Sequence, residues 1–184
     1  MKKSALLLIL IILTYNITPT IKDYTFKINE VKKVAKNKKF NTNYCILIDF
    51  SKFSGERRMH LVNLKNNNIE NSFLVAQGRG KNEFSNVIAS NSSSLGMAVI
   101  EEKGDSKYGT GFKYILNGLD KTNNNIKKRN IVLHSWGGIP PFGIFPIPLY
   151  QSKGCPTVAN KTIIEIDKLI KNQRNKKIII YTFK

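Results

Sequence analysis

The chain has 184 residues, 30 of them Lys or Arg against 12 Asp or Glu, giving a formal net charge of +18 and a pI of about 10.0; this length suits one domain with a sizeable core. The charge favours polyanionic partners, but Lys, Asn and Ile are abundant throughout and the basic residues form no single stripe, so Lys32 to Lys39 and Lys127-Lys128-Arg129 read as solvated faces. Two His and two Cys without paired-ligand spacing speak against a zinc site, and no other metal or organic cofactor is called for.

Residues 1–20 open with Lys2-Lys3, then run through the apolar stretch Ala5 to Leu13 to Pro19. The stretch is shorter than the ~18–20 apolar residues of a spanning helix and follows a basic segment, the pattern of a secretory signal. Export is therefore expected. An uncleaved membrane anchor is the alternative, because no small-x-small cleavage site stands out. Residues 21–184 form the expected domain.

Apolar residues at Phe26, Ile28, Val31, Val34 and Ala35 predict a helix over Asp23 to Lys36. Tyr44 to Phe50 reads as a buried strand in which Cys45 packs as a small hydrophobe, leaving two free thiols in preference to a disulfide. After a turn at Ser54-Gly55, Arg58 to Leu64 and Ile69 to Ala76 flank Lys65-Asn66-Asn67-Asn68 as a hairpin, with His60 on a strand face. Gly78 to Leu95 is polar and irregular; no Gly-Lys-Ser/Thr follows its glycines, so it is a loop and not a phosphate cradle. Gly96 to Ile100 and Phe112 to Leu116 predict strands around a turn at Lys103 to Thr110. Ile131-Val132-Leu133 predicts a short strand that delivers His134 at its end.

Four of the six prolines, at 140, 141, 146 and 148, lie between His134 and Ser152 together with Trp136, Phe142, Phe145 and Tyr150. Proline keeps this segment out of a central sheet, so it is an ordered loop that either covers a site or closes the core from one side. It leads to Ser152-Lys153-Gly154-Cys155-Pro156. A thiol between glycine and proline, with a histidine upstream, supplies the nucleophile and the base of cysteine acyl transfer. Pro156 has no N–H, so an oxyanion hole here draws on the N–H of Cys155 together with that of Gly154 or Lys153. No Asp or Glu occurs between Asp120 and Glu165, so the group that orients the imidazole is a backbone carbonyl, most simply that of Ser135. Asn160 is the expected N-cap of a helix over Lys161 to Lys171 with Ile163, Ile166, Leu169 and Ile170 on its apolar face, and Ile178 to Phe183 ends the chain as a strand.

His134, seventeen intervening residues and then Ser152-x-Gly154-Cys155 resemble the signature of the L,D-transpeptidases of bacterial cell walls, and the Cys155-Pro156 form resembles their divergent murein L,D-transpeptidase branch. The likeness runs over roughly residues 25–183, through Ile48-Asp49-Phe50-Ser51-Lys52, Phe84-Ser85-Asn86, Ser92-Ser93-Ser94-Leu95-Gly96 and Asn117-Gly118-Leu119 in order. Lys153, Ser135 and Pro156 depart from the main family's residues at those places. The resemblance implies a β-rich α+β fold, a β-sandwich or distorted barrel with an N-terminal helix and another after the nucleophile. It also implies a location in the periplasm or cell envelope of a bacterium and peptidoglycan stem peptides as partners; the export signal and the lack of any recognisable motif weigh against nucleic acid. Ser152, Lys153 and Trp136 are the expected substrate contacts, and the resemblance adds Asn86, Ser94 and Gly96. The implied reaction is ping-pong: Cys155 forms a thioester with the third residue of a tetrapeptide stem, D-alanine leaves, and an amine resolves the thioester as a crosslink. Resolution by water, as an L,D-carboxypeptidase or an amidase, is the alternative, and a non-catalytic basic envelope-binding protein is another.

Overall fold

A computed structural model describes residues 24–173 and 177–184, so the basic and apolar segment read as a signal or anchor lies outside the described residues. Helix α1 spans Thr25–Asn37. Strands β1 (Tyr44–Asp49), β2 (Met59–Asn63) and β3 (Asn68–Phe73) follow, then β4 (Gly96–Asp105), β5 (Phe112–Gly118), β6 (Val132–Ser135) and β7 (Thr157–Val158). Helix α2 (Asn160–Lys171) and strand β8 (Ile179–Phe183) complete the described elements.

The strands form one sheet in the order β3-β2-β1-β8-β4-β5-β6-β7. The β1–β8 and β6–β7 pairs are parallel and the other neighbours antiparallel. Beyond β3, the Ala76 N–H donates to the Thr157 carbonyl at 2.8 Å, an isolated bridge to β7 that nearly closes the sheet on itself. This is the β-rich α+β architecture expected, with one helix before the first strand and one after Cys155.

The period of 2 along β1 explains how both faces of the sheet are covered. Ile46 and Ile48 point into a core with Leu61, Leu133 and Ile180, into which α2 inserts Ile163 and Ile166. Cys45 and Leu47 point the other way, onto Ile28, Val31 and Ala35 of α1. A third apolar cluster joins Leu74, Ala76 and Ala159 to Ile139 and Leu149 of the proline-rich loop.

Several local expectations change. Phe26 is 71% exposed, because the buried face of α1 is the narrower set Ile28, Val31 and Ala35. Strand β4 continues to Asp105 through an irregularity between Ile100 and Lys103, where a turn was expected. The N-cap of α2 is Ala159, whose extended backbone precedes the first helical bond, Ile163 N–H to Ala159 O at 3.1 Å; Asn160 is already helical. The two-residue β7, too short for any periodic signal, was not anticipated. His60 is fully buried: Tyr24 Oη donates to Asp49 at 3.0 Å and therefore accepts from His60 Nε2 at 3.1 Å, leaving Nδ1 to accept from Ser72 Oγ at 2.8 Å.

Candidate active site

His134 sits inside β6, third of its four residues, paired on one side with Lys113 of β5 and on the other with Thr157 of β7. Its Nδ1 lies 3.1 Å from the Ser135 carbonyl. A carbonyl only accepts, so the proton is on Nδ1 and the lone pair on Nε2. Nε2 is 3.0 Å from Thr157 Oγ1, whose hydroxyl is also 3.2 Å from the Cys155 carbonyl. Burial pushes the imidazole below its ordinary value; the Ser135 hydrogen bond opposes this, and the Lys113 charge adds to it.

The thiol is held elsewhere. Cys155 Sγ is 3.8 Å from the carbonyl of Asn130, a residue at φ 53° just before β6, and no hydrogen bond joins Sγ to His134 among the described residues. Burial raises the thiol above its ordinary value, while the Val132 N–H and the charges of Arg129 and Lys113 pull it down. In the free protein the two groups therefore share a site as a neutral thiol and a neutral imidazole. Cys45, fully buried beneath α1, has its thiol pushed up to about 12 by burial.

The loop around Cys155 is fastened by its own side chains. Ser152 Oγ donates to the Cys155 carbonyl at 2.7 Å and accepts the Gly154 N–H at 3.1 Å. This is a correction: the Gly154 amide, expected at an oxyanion hole, is engaged by Ser152, whereas the N–H groups of Lys153 and Cys155 have no hydrogen-bond partner among the described residues. Gly154 itself is required by its φ of +110°, and a Cβ there would lie 2.9 Å from both Ile131 Cδ1 and the Ser92 carbonyl.

His134, Trp136, Ser152, Lys153 and Cys155 line one cavity of about 350 Å³. Trp136 and Tyr150, with ring centroids 4.8 Å apart, form one wall, and Tyr108 stands beside His134, the ring centroids 6.0 Å apart. The proline-rich loop thus does both things considered for it: Ile139 and Leu149 are buried in the third core cluster, and its two ends wall the cavity. Asn86, Ser94 and Gly96 do not reach it. Asn86 donates to Lys121 O and Asn124 Oδ1 at 3.1 and 2.7 Å, tying two loops together. Ser94 and Gly96 instead border a separate void of about 30 Å³, which Gly154 also lines.

Sequence reasoning missed Thr157, Tyr108 and Arg129. Thr157 is on the unanticipated β7, and Tyr108 is an exposed loop tyrosine with no pattern around it. Arg129, taken for part of a solvated basic cluster, donates to Ser85 O, Ser94 Oγ, Ser90 Oγ and Ser92 O at 2.6–2.9 Å. It holds the serine-rich loop against the back of Gly154, and its charge favours the Cys155 thiolate. The serines at 85, 90, 92 and 94, two to nine residues apart, were the one available signal for a structural cation.

A family model described as the L,D-transpeptidase catalytic domain matches residues 18–181. The chain belongs to this family. Membership of the L,D-transpeptidase family supports a peptidoglycan-modifying activity. No curated protein matches the sequence. Among solved structures, the domain is similar to Bd1075 of Bdellovibrio bacteriovorus, with 17% identity, 79% of this chain and 49% of that chain covered and a TM-score of 0.47. A mutant of the helical cell shape determining protein Pgp2 from Campylobacter jejuni gives 12% identity, 78% and 48% coverage and 0.49. The L,D-transpeptidase from Xylanimonas cellulosilytica gives 12%, 82% and 68%, and 0.44. The chain spans about half the length of the first two. No helix among the described residues is long and apolar enough to cross a membrane.

Proposed function

We propose that this L,D-transpeptidase domain is a cysteine acyltransferase that crosslinks peptidoglycan stem peptides. The observation that carries the reading is the convergence of Cys155 and a Ser135-oriented His134 on one cavity. Substrate binding brings Sγ out of its contact with the Asn130 carbonyl by a change of side-chain rotamer, and Thr157 turns its hydroxyl from Nε2 to the Cys155 carbonyl. The proton then passes from Sγ to Nε2. The thiolate attacks the carbonyl of the third stem residue, and the oxyanion takes the free N–H groups of Cys155 and Lys153. As the C–N bond breaks, the imidazolium returns its proton to the departing D-alanine amine, leaving a thioester. The amine of a second stem attacks this thioester and gives its proton to Nε2. The new amide forms, the C–S bond breaks, and Cys155 recovers the proton.

Export to the periplasm or cell envelope belongs to the same proposal, supported by Lys2-Lys3 and the apolar run Ala5 to Leu13, with residues 21–184 as the catalytic unit. The test is intact mass of the protein incubated with a disaccharide tetrapeptide, Cys155→Ala alongside. The reading requires an acyl adduct confined to the Cys155 form, free D-alanine and a crosslinked dimer. A tripeptide in place of dimer means hydrolysis. An unreactive but free thiol with no D-alanine rejects acyl transfer from this donor.

A further inference from the structure

Tyr150 and Gln151 of the catalytic cavity also line a second cavity, of about 380 Å³, whose other walls include Ser54, Arg58, Gln77 and Leu149. Arg58 is only 2% exposed. Buried guanidinium groups in proteins are normally paired with an acid, yet none lies within ion-pair distance of this one among the described residues. Asp49 and Glu56 favour its charge from beyond ion-pair distance, but their oxygens are engaged elsewhere: Asp49 accepts from Tyr24 at 3.0 Å and from the Ser51 N–H at 2.9 Å, and Glu56 accepts the Phe53 N–H at 2.8 Å.

The guanidinium is nevertheless held in place. Its plane lies over the Phe50 ring at 4.7 Å, and Nε and Nη2 donate to the Val75 carbonyl at 3.2 and 3.1 Å. Nη1 makes only two long neutral contacts, to Lys52 O at 3.3 Å and Gln77 Oε1 at 3.4 Å. Of the five N–H groups of an arginine, one on Nη2 has no partner and the two on Nη1 are replaceable. Burial lowers the group only to about 10, so it keeps its charge at neutral pH.

We propose that Arg58 is an anion subsite that takes a carboxylate of a peptide lying in the adjoining catalytic cavity, away from the scissile bond. A planar carboxylate matches the fork of Nη1 and Nη2, supplies the missing counter-charge and displaces the two long contacts. Its identity as a stem-peptide carboxylate rests on the acyltransferase reading; the subsite does not.

The test uses the full chain with Cys155→Ala, labelled with ¹⁵N, and follows the Arg58 Nε–H resonance, assigned by its absence from Arg58→Lys. N-acetyl-D-alanine is expected to shift that resonance saturably and N-acetyl-D-alaninamide to leave it in place. No shift with the acid, or equal shifts with both, overturns the subsite. In the active protein, Arg58→Lys, which keeps the charge and loses the fork, should raise KM for the disaccharide tetrapeptide about tenfold or more at unchanged kcat. An unchanged KM also overturns it. An acid-specific shift with no thioester at Cys155 leaves the subsite standing and rejects the acyltransferase reading; a thioester without the shift does the reverse.

Discussion

Alkylation of Cys155 as a function of pH tests whether the resting site is a neutral pair or an ion pair. The thiol is raised above its ordinary 9.0 by burial, the imidazole is lowered by burial, and the nearest hydrogen-bond partners are Asn130 O for one and Thr157 Oγ1 for the other. Above 9.0, about 1% or less of the thiol is ionised at pH 7, and the thiolate fraction rises about tenfold per pH unit. The alkylation rate with iodoacetamide, read by intact mass, should therefore climb about 100-fold from pH 6 to pH 8. One adduct should form, because Cys45 is fully buried and its thiol is pushed up to about 12. His134→Ala should leave the slope unchanged. A rate that is flat below pH 7, with the plateau abolished by His134→Ala, would mean a preformed thiolate–imidazolium pair in place of two neutral groups.

Gly154→Ala places a Cβ 2.9 Å from a backbone carbonyl at a φ of +110°; a cost of about 2–4 kcal/mol, or roughly 5–15 °C in Tm, is expected with loss of acylation, and a wild-type melt would contradict it. Arg129→Gln should slow Cys155 alkylation at every pH, since the cation that favours the thiolate is gone, and should cost about 2–3 kcal/mol through the lost bonds to the serine loop; urea titration and the alkylation assay check the two effects separately. Burial holds His60 down to about 4 when folded, against about 6.5 unfolded. The unfolded chain thus binds the proton first, so stability present above pH ~6.5 is lost as pH falls toward 4, by up to about 3 kcal/mol. Urea midpoints of wild type and His60→Gln measured between pH 7 and 4.5 would contradict this by staying parallel.

The strands that were legible are those with their own pattern. The apolar runs of β1 and β8 and the alternation around the Asn66-Asn67 turn locate their elements, because burial on one or both faces leaves a period in the residues themselves. The helix after the nucleophile was legible for the same reason. What was illegible depends on partners distant in the chain. Thr157 and Val158 form a strand only because β6 and Ala76 flank them. Arg129 is structural only because Ser85, Ser90, Ser92 and Ser94 fold back over it. Asn86, Ser94 and Gly96 were assigned to the cleft by the family resemblance alone, whereas their side chains and backbone serve loop ties and a separate small void.

The relation of His134 to Cys155 is set by backbone pairing. His134 and Ser135 pair in parallel with Thr157 and Val158, and the Trp136 N–H continues the ladder to Val158 O at 3.0 Å, so the residues flanking Cys155 are registered against β6 on one side. On the other side Ser152 is registered against the segment after β3, through Ser152 N–H to Gln77 O at 2.8 Å and Arg79 N–H to Ser152 O at 2.9 Å. Three residues, Lys153 to Cys155, are thus strung between two fixed ladders, and the Ser152 hydroxyl clamps the turn within them. With the main chain so held, the side-chain rotamer of Cys155 is the freedom on which the proposed approach of the thiol, now against the Asn130 carbonyl, to the imidazole depends. A buried neutral thiol costs little to keep and a thiolate there costs much, so ionisation is coupled to whatever moves the sulfur toward Nε2. On the acyl-transfer proposal, the occupant of the cavity, and not the resting protein, decides when the thiolate forms.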